Sequence, residues 1–129
     1  MVLKVIADTS FLMIPGIFKV DIRKELDRLI ERRYEILVPK PVVAELERLI
    51  KEGTPRERVA AKIGMEITKR GRIVEVGKNA DDAIVELANG KDVAVGTTDA
   101  GLKKRLRKIG VLVIFLRQKS HLTVDGQLG

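Results

Sequence analysis

The chain has 129 residues, 45% of them hydrophobic, with 25 Lys and Arg against 18 Asp and Glu for a net charge of +7, no cysteine and one histidine, His121. That length fits one domain around one core, and the lack of cysteine excludes disulfides, iron–sulfur clusters, thiol nucleophiles and any ordinary structural zinc site. Carboxylates remain as the multidentate metal ligands, which favours hard cations such as Mg²⁺, Mn²⁺ or Ca²⁺, and the positive excess suits either a polyanion such as a phosphate backbone or a basic surface that is merely solvated.

From Met1 to Asp8 the chain is too short in apolar residues, and too quickly acidic, for a signal peptide. No apolar run reaches the roughly 20 residues of a membrane span. A cytoplasmic protein is expected. Leu3 to Ala7 reads as a buried strand ending at Asp8-Thr9-Ser10. Asp21 is placed to cap a helix with Ile22, Leu26, Leu29 and Ile30 along one face. Ile36-Leu37-Val38 forms a second strand closed by Pro39, and Pro41 sits where a first helical turn tolerates proline. That helix buries Val42, Val43, Leu46, Leu49 and Ile50, and Gly53 ends it. Thr54-Pro55-Arg56-Glu57 has capping-box spacing and opens the next helix. Ile73 to Val76 reads as strand three. A helix begins at Asn79, runs through Ile84, Val85, Leu87 and Ala88, and stops at Asn89-Gly90. Val93 to Val95 is strand four, followed by Gly96-Thr97-Thr98-Asp99 and a basic helix with Leu102, Leu106 and Ile109. Gly110 ends that helix, and Val111 to Leu116 is strand five. Residues 118–129 are expected to be an edge element or tail of a single domain, 1–129. Apolar strands alternating with helices predict an α/β fold, a three-layer α/β/α sandwich around a parallel sheet covered on both faces.

In open parallel sheets, ligands bind beyond the carboxyl ends of the strands. Asp8 directly follows strand one and Asp99 follows strand four; Asp81 and Asp82 open the helix after strand three, and Glu45 lies one turn into the helix after strand two. The rim therefore gathers at least four acids, with Thr9, Ser10, Thr97 and Thr98 as hydroxylic neighbours. Crowded carboxylates raise one another's pKa unless a cation compensates. A divalent ion held by carboxylates is the usual arrangement for Mg²⁺ beside phosphates, and with a basic exterior it suits phosphodiester hydrolysis by a metal-activated water. Structural roles compete for each residue. Asp99 suits a helix N-cap, Asp81 and Asp82 suit a first turn, and Glu45 is not separated by periodicity from Glu47 as a solvated flank. Asp8 resists such a reading, because a carboxylate ending a buried strand is costly without partners. His121 reads as a surface or edge residue. Lys103, Lys104 and Arg105, with Arg107 and Lys108, read as a solvated helix face that, starting just after Asp99, is also expected to guide a nucleic-acid backbone.

Four blocks then carry a resemblance: Val5-Ile6-Ala7-Asp8-Thr9-Ser10-Phe11, Val43-Ala44-Glu45-Leu46-Glu47-Arg48-Leu49, Ala80-Asp81-Asp82-Ala83-Ile84-Val85, and Thr97-Thr98-Asp99-Ala100-Gly101-Leu102-Lys103-Lys104-Arg105-Leu106. In this order and over nearly the whole chain, the sequence resembles the PIN-domain nucleases, particularly the Fcf1 (Utp24)-like branch involved in ribosomal RNA processing. The resemblance implies a five-stranded parallel sheet of order 3-2-1-4-5 and an acidic pocket for one or two Mg²⁺ or Mn²⁺ ions. It implies Asp8 and Asp99 as direct metal ligands, Glu45 and Asp81 completing the quartet, Asp82 as a contributor beside Asp81, and Ser10 and Thr97 as supporting hydroxyls. It further implies RNA as substrate, a homodimer, and an antitoxin or ribosome-assembly partner. One departure stands out: Thr98 occupies the position where the family commonly has asparagine, and threonine cannot offer the same amide contacts.

Two readings on the same scaffold compete with a ribosomal RNA nuclease: a non-catalytic RNA-binding or assembly factor, and a toxin-type PIN ribonuclease. A haloacid-dehalogenase-like phosphatase needs a second aspartate where Ser10 stands, and a receiver domain needs an acidic pair where Ile6-Ala7 stands. Gly77-Lys78 and Gly90-Lys91 lack the glycine spacing of a phosphate loop.

Overall fold

The computed structural model describes residues 2–126. The first strand, β1 (Leu3–Ala7), buries every residue except Lys4 and lies in the middle of the sheet. Next come two short helices, α1 (Thr9–Leu12) and α2 (Ile14–Phe18), and then α3 (Ile22–Leu29), β2 (Tyr34–Pro39) and α4 (Lys40–Glu52). The remainder runs α5 (Pro55–Lys69), β3 (Arg72–Val74), α6 (Ala80–Leu87), β4 (Val93–Gly96), α7 (Ala100–Lys108), β5 (Leu112–Arg117) and β6 (His121–Asp125). The sheet order is β3-β2-β1-β4-β5-β6. Its first five strands are parallel, in the expected 3-2-1-4-5 order, and β6 joins antiparallel to β5. Among the described residues no helix is long and apolar enough to cross a membrane.

Local chemistry sets most helix ends. Asp21 caps α3 by accepting from the Lys24 N–H, and Thr54 and Glu57 complete the capping box of α5. Asn79 caps α6 and Asp99 caps α7. Two regions depart from the sequence reading. Strand three is expected over Ile73 to Val76 but spans Arg72–Val74, because its partner β2 ends at Pro39, opposite Val74, where the chain turns into α4. Glu75 and Val76 thus have no ladder to join. Residues 9–18, read without an element, fold into α1 and α2, whose apolar side chains pack on α5. That packing needs Gly16: a Cβ there would lie 2.4 Å from the Cα of Ala60. The left-handed Lys19, at φ 61°, ends α2.

The β5–β6 turn explains why residues 118–129 read only as an edge element or tail, without a defined strand. Gln118 and Lys119 both adopt left-handed backbone, at φ 53° and 57°, and the Ser120 N–H donates to the Arg117 carbonyl. Such turns usually carry Asn or Gly; neither is present. Residues 121–125 of the expected edge element form β6, and 127–129 lie outside the described residues.

The outer edge of β6 is covered by side chains rather than by another strand. The Leu122 N–H donates to Glu25 Oε1 at 2.9 Å, and Arg28 Nη2 donates to the Leu122 carbonyl at 2.9 Å. Glu25 and Arg28 pair with each other at 3.0 Å. They thus occupy one donor and one acceptor of an edge that would otherwise be open to strand addition. The Arg28 hydrogen bond, and after it the Leu122 N–H, hold the Glu25 carboxyl below the usual glutamate range. Glu25→Ala should destabilise the fold by about 1–2 kcal/mol, measured by denaturant unfolding, with faster amide exchange at Leu122. Because the folded-state pKa of Glu25 lies below its unfolded value of about 4.3, its contribution is present above that pH. It is lost as pH falls through the folded value, so wild type and variant should converge at acidic pH.

Candidate active site

The parallel register places Ala7 opposite Gly96, so β1 and β4 end side by side and deliver Asp8 and Thr97 to the same point of the rim. Asp8 is 7% exposed and Thr97 is fully buried. Asp8 caps α1: its Oδ1 accepts from the Phe11 N–H at 2.8 Å and from Ser10 Oγ at 2.7 Å, while its Oδ2 accepts from Thr97 Oγ1. The two hydroxyls also brace the next strand's exit. Ser10 Oγ accepts from the Thr98 N–H and Thr97 Oγ1 from the Asp99 N–H, both at 3.0 Å. All of Asp8's hydrogen-bond donors are neutral. Burial pushes the Asp8 carboxyl up; hydrogen bonds from Thr97, Ser10 and Phe11 pull it down, and the negative charge of Asp81 pushes it up again. Burial dominates.

The adjacent acids of α6 separate by partner. Asp81 is exposed in the first turn and acts on Asp8 through its charge. Asp82 instead receives Arg105 Nη2 at 2.8 Å on Oδ1 and Asn79 Nδ2 at 3.0 Å on Oδ2. Arg105 and then Asn79 hold its carboxyl below the usual aspartate range. Asp99 is exposed and spends Oδ1 on capping α7, through the Leu102 N–H at 3.0 Å. Glu45 is exposed on α4, 3.9 Å from Arg48. Among the described residues, no three carboxylates or histidines are drawn close enough to hold an ion as they stand. The backbone brings the strand ends together; the side chains stay spread around Asp8.

The basic residues of α7 also differ from one another. Lys103 lies 3.6 Å from the centre of the Phe115 ring and 3.4 Å from Asp125 Oδ2, tied to β5 and β6. Arg105 is bound to Asp82, whereas Lys104 is exposed. His121 sits in β6, with Nδ1 2.9 Å from Ser120 Oγ. Sequence reasoning took Arg105 as an RNA contact and missed its partner across the sequence. The only signal was a basic residue about one and a half turns after the Asp99 cap, which does not specify which acid it meets.

The PIN-like domain family matches residues 5–119. The chain belongs to that family. Ribonuclease VapC4 of Methanocaldococcus jannaschii is 30% identical to this PIN-like domain over 97% of the chain and 98% of that protein. The rRNA-processing protein FCF1 of Saccharomyces cerevisiae is 35% identical over 82% of the chain, which spans 55% of that protein's length. Among solved structures, that of the PIN domain endonuclease Utp24 superposes with a TM-score of 0.78 at 29% identity, over 96% of this chain and 92% of that one. The resemblance to the Fcf1 (Utp24)-like branch is therefore matched in both sequence and fold.

The charge balance at Asp8 yields a stability test. Its folded-state pKa is raised, so its favourable contribution is present below the unfolded value of about 3.9 and is lost as pH rises through the folded value. In chelator, Asp8→Asn should therefore melt higher than wild type at about pH 7.5, and the difference should shrink towards about pH 4. Thermal melts across that range check it; a variant that melts lower at neutral pH would contradict this electrostatic picture.

Proposed function

We propose that this PIN-like domain is a divalent-cation-dependent endoribonuclease that hydrolyses RNA phosphodiester bonds at the rim where β1 and β4 end. The observation that carries this reading is Asp8, a buried carboxylate with only neutral donors and a second acid acting on it. Nothing structural requires a negative charge there, since a neutral amide could cap α1. A divalent cation is the group whose binding would turn that cost into affinity. The donor set fits one: the acids offer hard oxygens and the chain has no thiol. Asp8, Asp81, Asp99 and Glu45 are the residues that would hold it, as Mg²⁺ or Mn²⁺. The chemistry such an ion supplies when bound is a lower pKa for water and neutralisation of phosphoryl charge.

The chain's own groups do the positioning. Thr97 donates to Asp8 and accepts from the Asp99 backbone, so one buried hydroxyl fixes the two acids' relative placement. Ser10 makes the same kind of bridge to Thr98. Exposed Lys104 on α7, and the net charge of +7, favour the approach of a polyanion. The relatives support RNA as that polyanion: by name one is a ribonuclease, one an rRNA-processing protein and one a PIN domain endonuclease. Within this activity we favour ribosomal RNA processing, on the match to FCF1 and Utp24. A toxin-type ribonuclease with an inhibitory partner is the second reading, favoured by the end-to-end match to Ribonuclease VapC4.

Cleavage of a ribosomal RNA fragment in Mn²⁺ or Mg²⁺ tests the proposal. Asp8→Asn and Asp99→Asn should each lose more than the roughly 10–100-fold that outer partners of a metal ligand cost, and Thr97→Val should fall within that range. Chelator should abolish activity. RNA that is bound but never cut, with either metal, would sink the catalytic reading and leave a binding factor. Lys104→Ala should keep the cleavage step intact while lowering the slope of log affinity against log salt by about 0.7 for a single-stranded RNA.

A further inference from the structure

We infer that Arg105 is a positioning residue: by gripping Asp82 it holds the first turn of α6, and with it Asp81, against α7, where Asp99 caps the helix. This deepens the reading of the site as a cation-dependent nuclease and rests on it.

The two helices are held very differently. α7 is anchored by buried Leu102 and Leu106, by its packing on β5 and by the Lys103 and Arg107 contacts to Asp125. α6, nearly as long as α7, buries Ala83 and Ile84 and packs on α4 and β2, but its first turn follows a stretch from Glu75 to Asn79 with no strand to pair with. Its first turn is tied to α7 by Arg105 Nη2 on Asp82 Oδ1, at 2.8 Å. Asp82 is held from behind as well: its N–H donates to Asn79 Oδ1 and its Oδ2 accepts from Asn79 Nδ2, each at 3.0 Å. Guanidinium, carboxylate and helix cap thus form one chain of hydrogen bonds. Asp81 is the neighbouring residue in that turn, so fixing Asp82 fixes where Asp81 can reach.

The pair is too exposed to matter much for stability. The side chains of Arg105 and Asp82 are 51% and 46% exposed, and pairs so well solvated contribute little to stability. A functional geometry is far less tolerant, since a displacement of about 1 Å at a reacting site can cost about a hundredfold. The pair's position between the two acid-bearing helices is what gives a weak bond a role.

Charge alone makes the opposite forecast, and that separates the explanations. Removing the Arg105 cation near the rim acids should tighten cation uptake if only the field mattered. If Arg105 positions Asp81, uptake should weaken. If Arg105 merely contacts RNA, uptake should not change.

The test is Mn²⁺ titration by calorimetry without RNA, on wild type, Arg105→Gln, Asp82→Asn and the double variant. Hydrogen exchange at Ala83, Ile84 and Val85 is measured in parallel without metal. Expected are about tenfold weaker Mn²⁺ binding in Arg105→Gln, a double variant no worse than Asp82→Asn alone, and faster exchange in the first turn of α6. Melting temperatures should stay within about 4 °C of wild type. Arg105→Lys, which keeps a cation within reach of Asp82, should recover part of the loss. Unchanged or tighter Mn²⁺ binding in Arg105→Gln, or unchanged exchange in α6, overturns the inference even if RNA binding falls. If wild type itself takes up no Mn²⁺, the cation reading fails first, and the exchange data still decide whether Arg105 holds α6.

Discussion

Parallel pairing of β1 with β4 fixes where everything at the rim can be. With Ala7 opposite Gly96, the next residues on the two strands, Asp8 and Thr97, leave the sheet at the same level and meet. The register is secured by close packing as well as by ladder hydrogen bonds. A Cβ at Gly96 would lie 2.7 Å from the Phe11 ring, so only glycine lets that ring settle over the end of β4. Phe11 is also the residue whose N–H reaches Asp8. One contact therefore positions α1, the carboxylate it receives as a cap, and the neighbouring strand end. A one-residue slip would turn Asp8 and Thr97 to opposite faces.

Around that point the acids divide by electrostatic environment rather than by sequence position. Asp8 is buried among neutral donors and feels Asp81, which leaves its charge poorly compensated. Asp82, one residue from Asp81, has a guanidinium and an amide, and its charge is well compensated. This division is why we propose Asp81 rather than Asp82 as the acid nearer a bound cation. A carboxylate already matched by arginine has less to gain from a divalent ion. Asp99 commits one oxygen to the cap of α7.

The basic helix shows a similar partition. From sequence, Lys103, Lys104 and Arg105 are equivalent members of a charged face. In the fold, Lys103 serves the packing of the last hairpin through Phe115 and Asp125, Arg105 joins α6 to α7, and Lys104 faces outward. Positive charge in a run is thus no measure of charge offered to a polyanion. The edge clamp of Glu25 and Arg28 on β6 is another case, with two ordinary surface charges standing in for a missing strand.

By itself the sequence determined the α/β alternation around a parallel sheet and the caps at Asp21, Thr54, Asn79 and Asp99, while the strand order came with the resemblance to the PIN-domain nucleases. The alternation and the caps follow from local periodicity and from side chains bonding their own backbone within a turn, which short-range patterns encode. Only the tertiary structure decided that β3 stops at Val74, that Thr9 to Phe18 coils into two short helices, and that residues 121–125 return as an antiparallel strand. The same holds for Asp82 meeting Arg105 and for Glu45 remaining apart beside Arg48. Each of these depends on a partner far along the chain, such as the end of β2, the Ala60 backbone beneath Gly16 or a guanidinium on another helix. Such partners are set by how the elements pack, which no local pattern records.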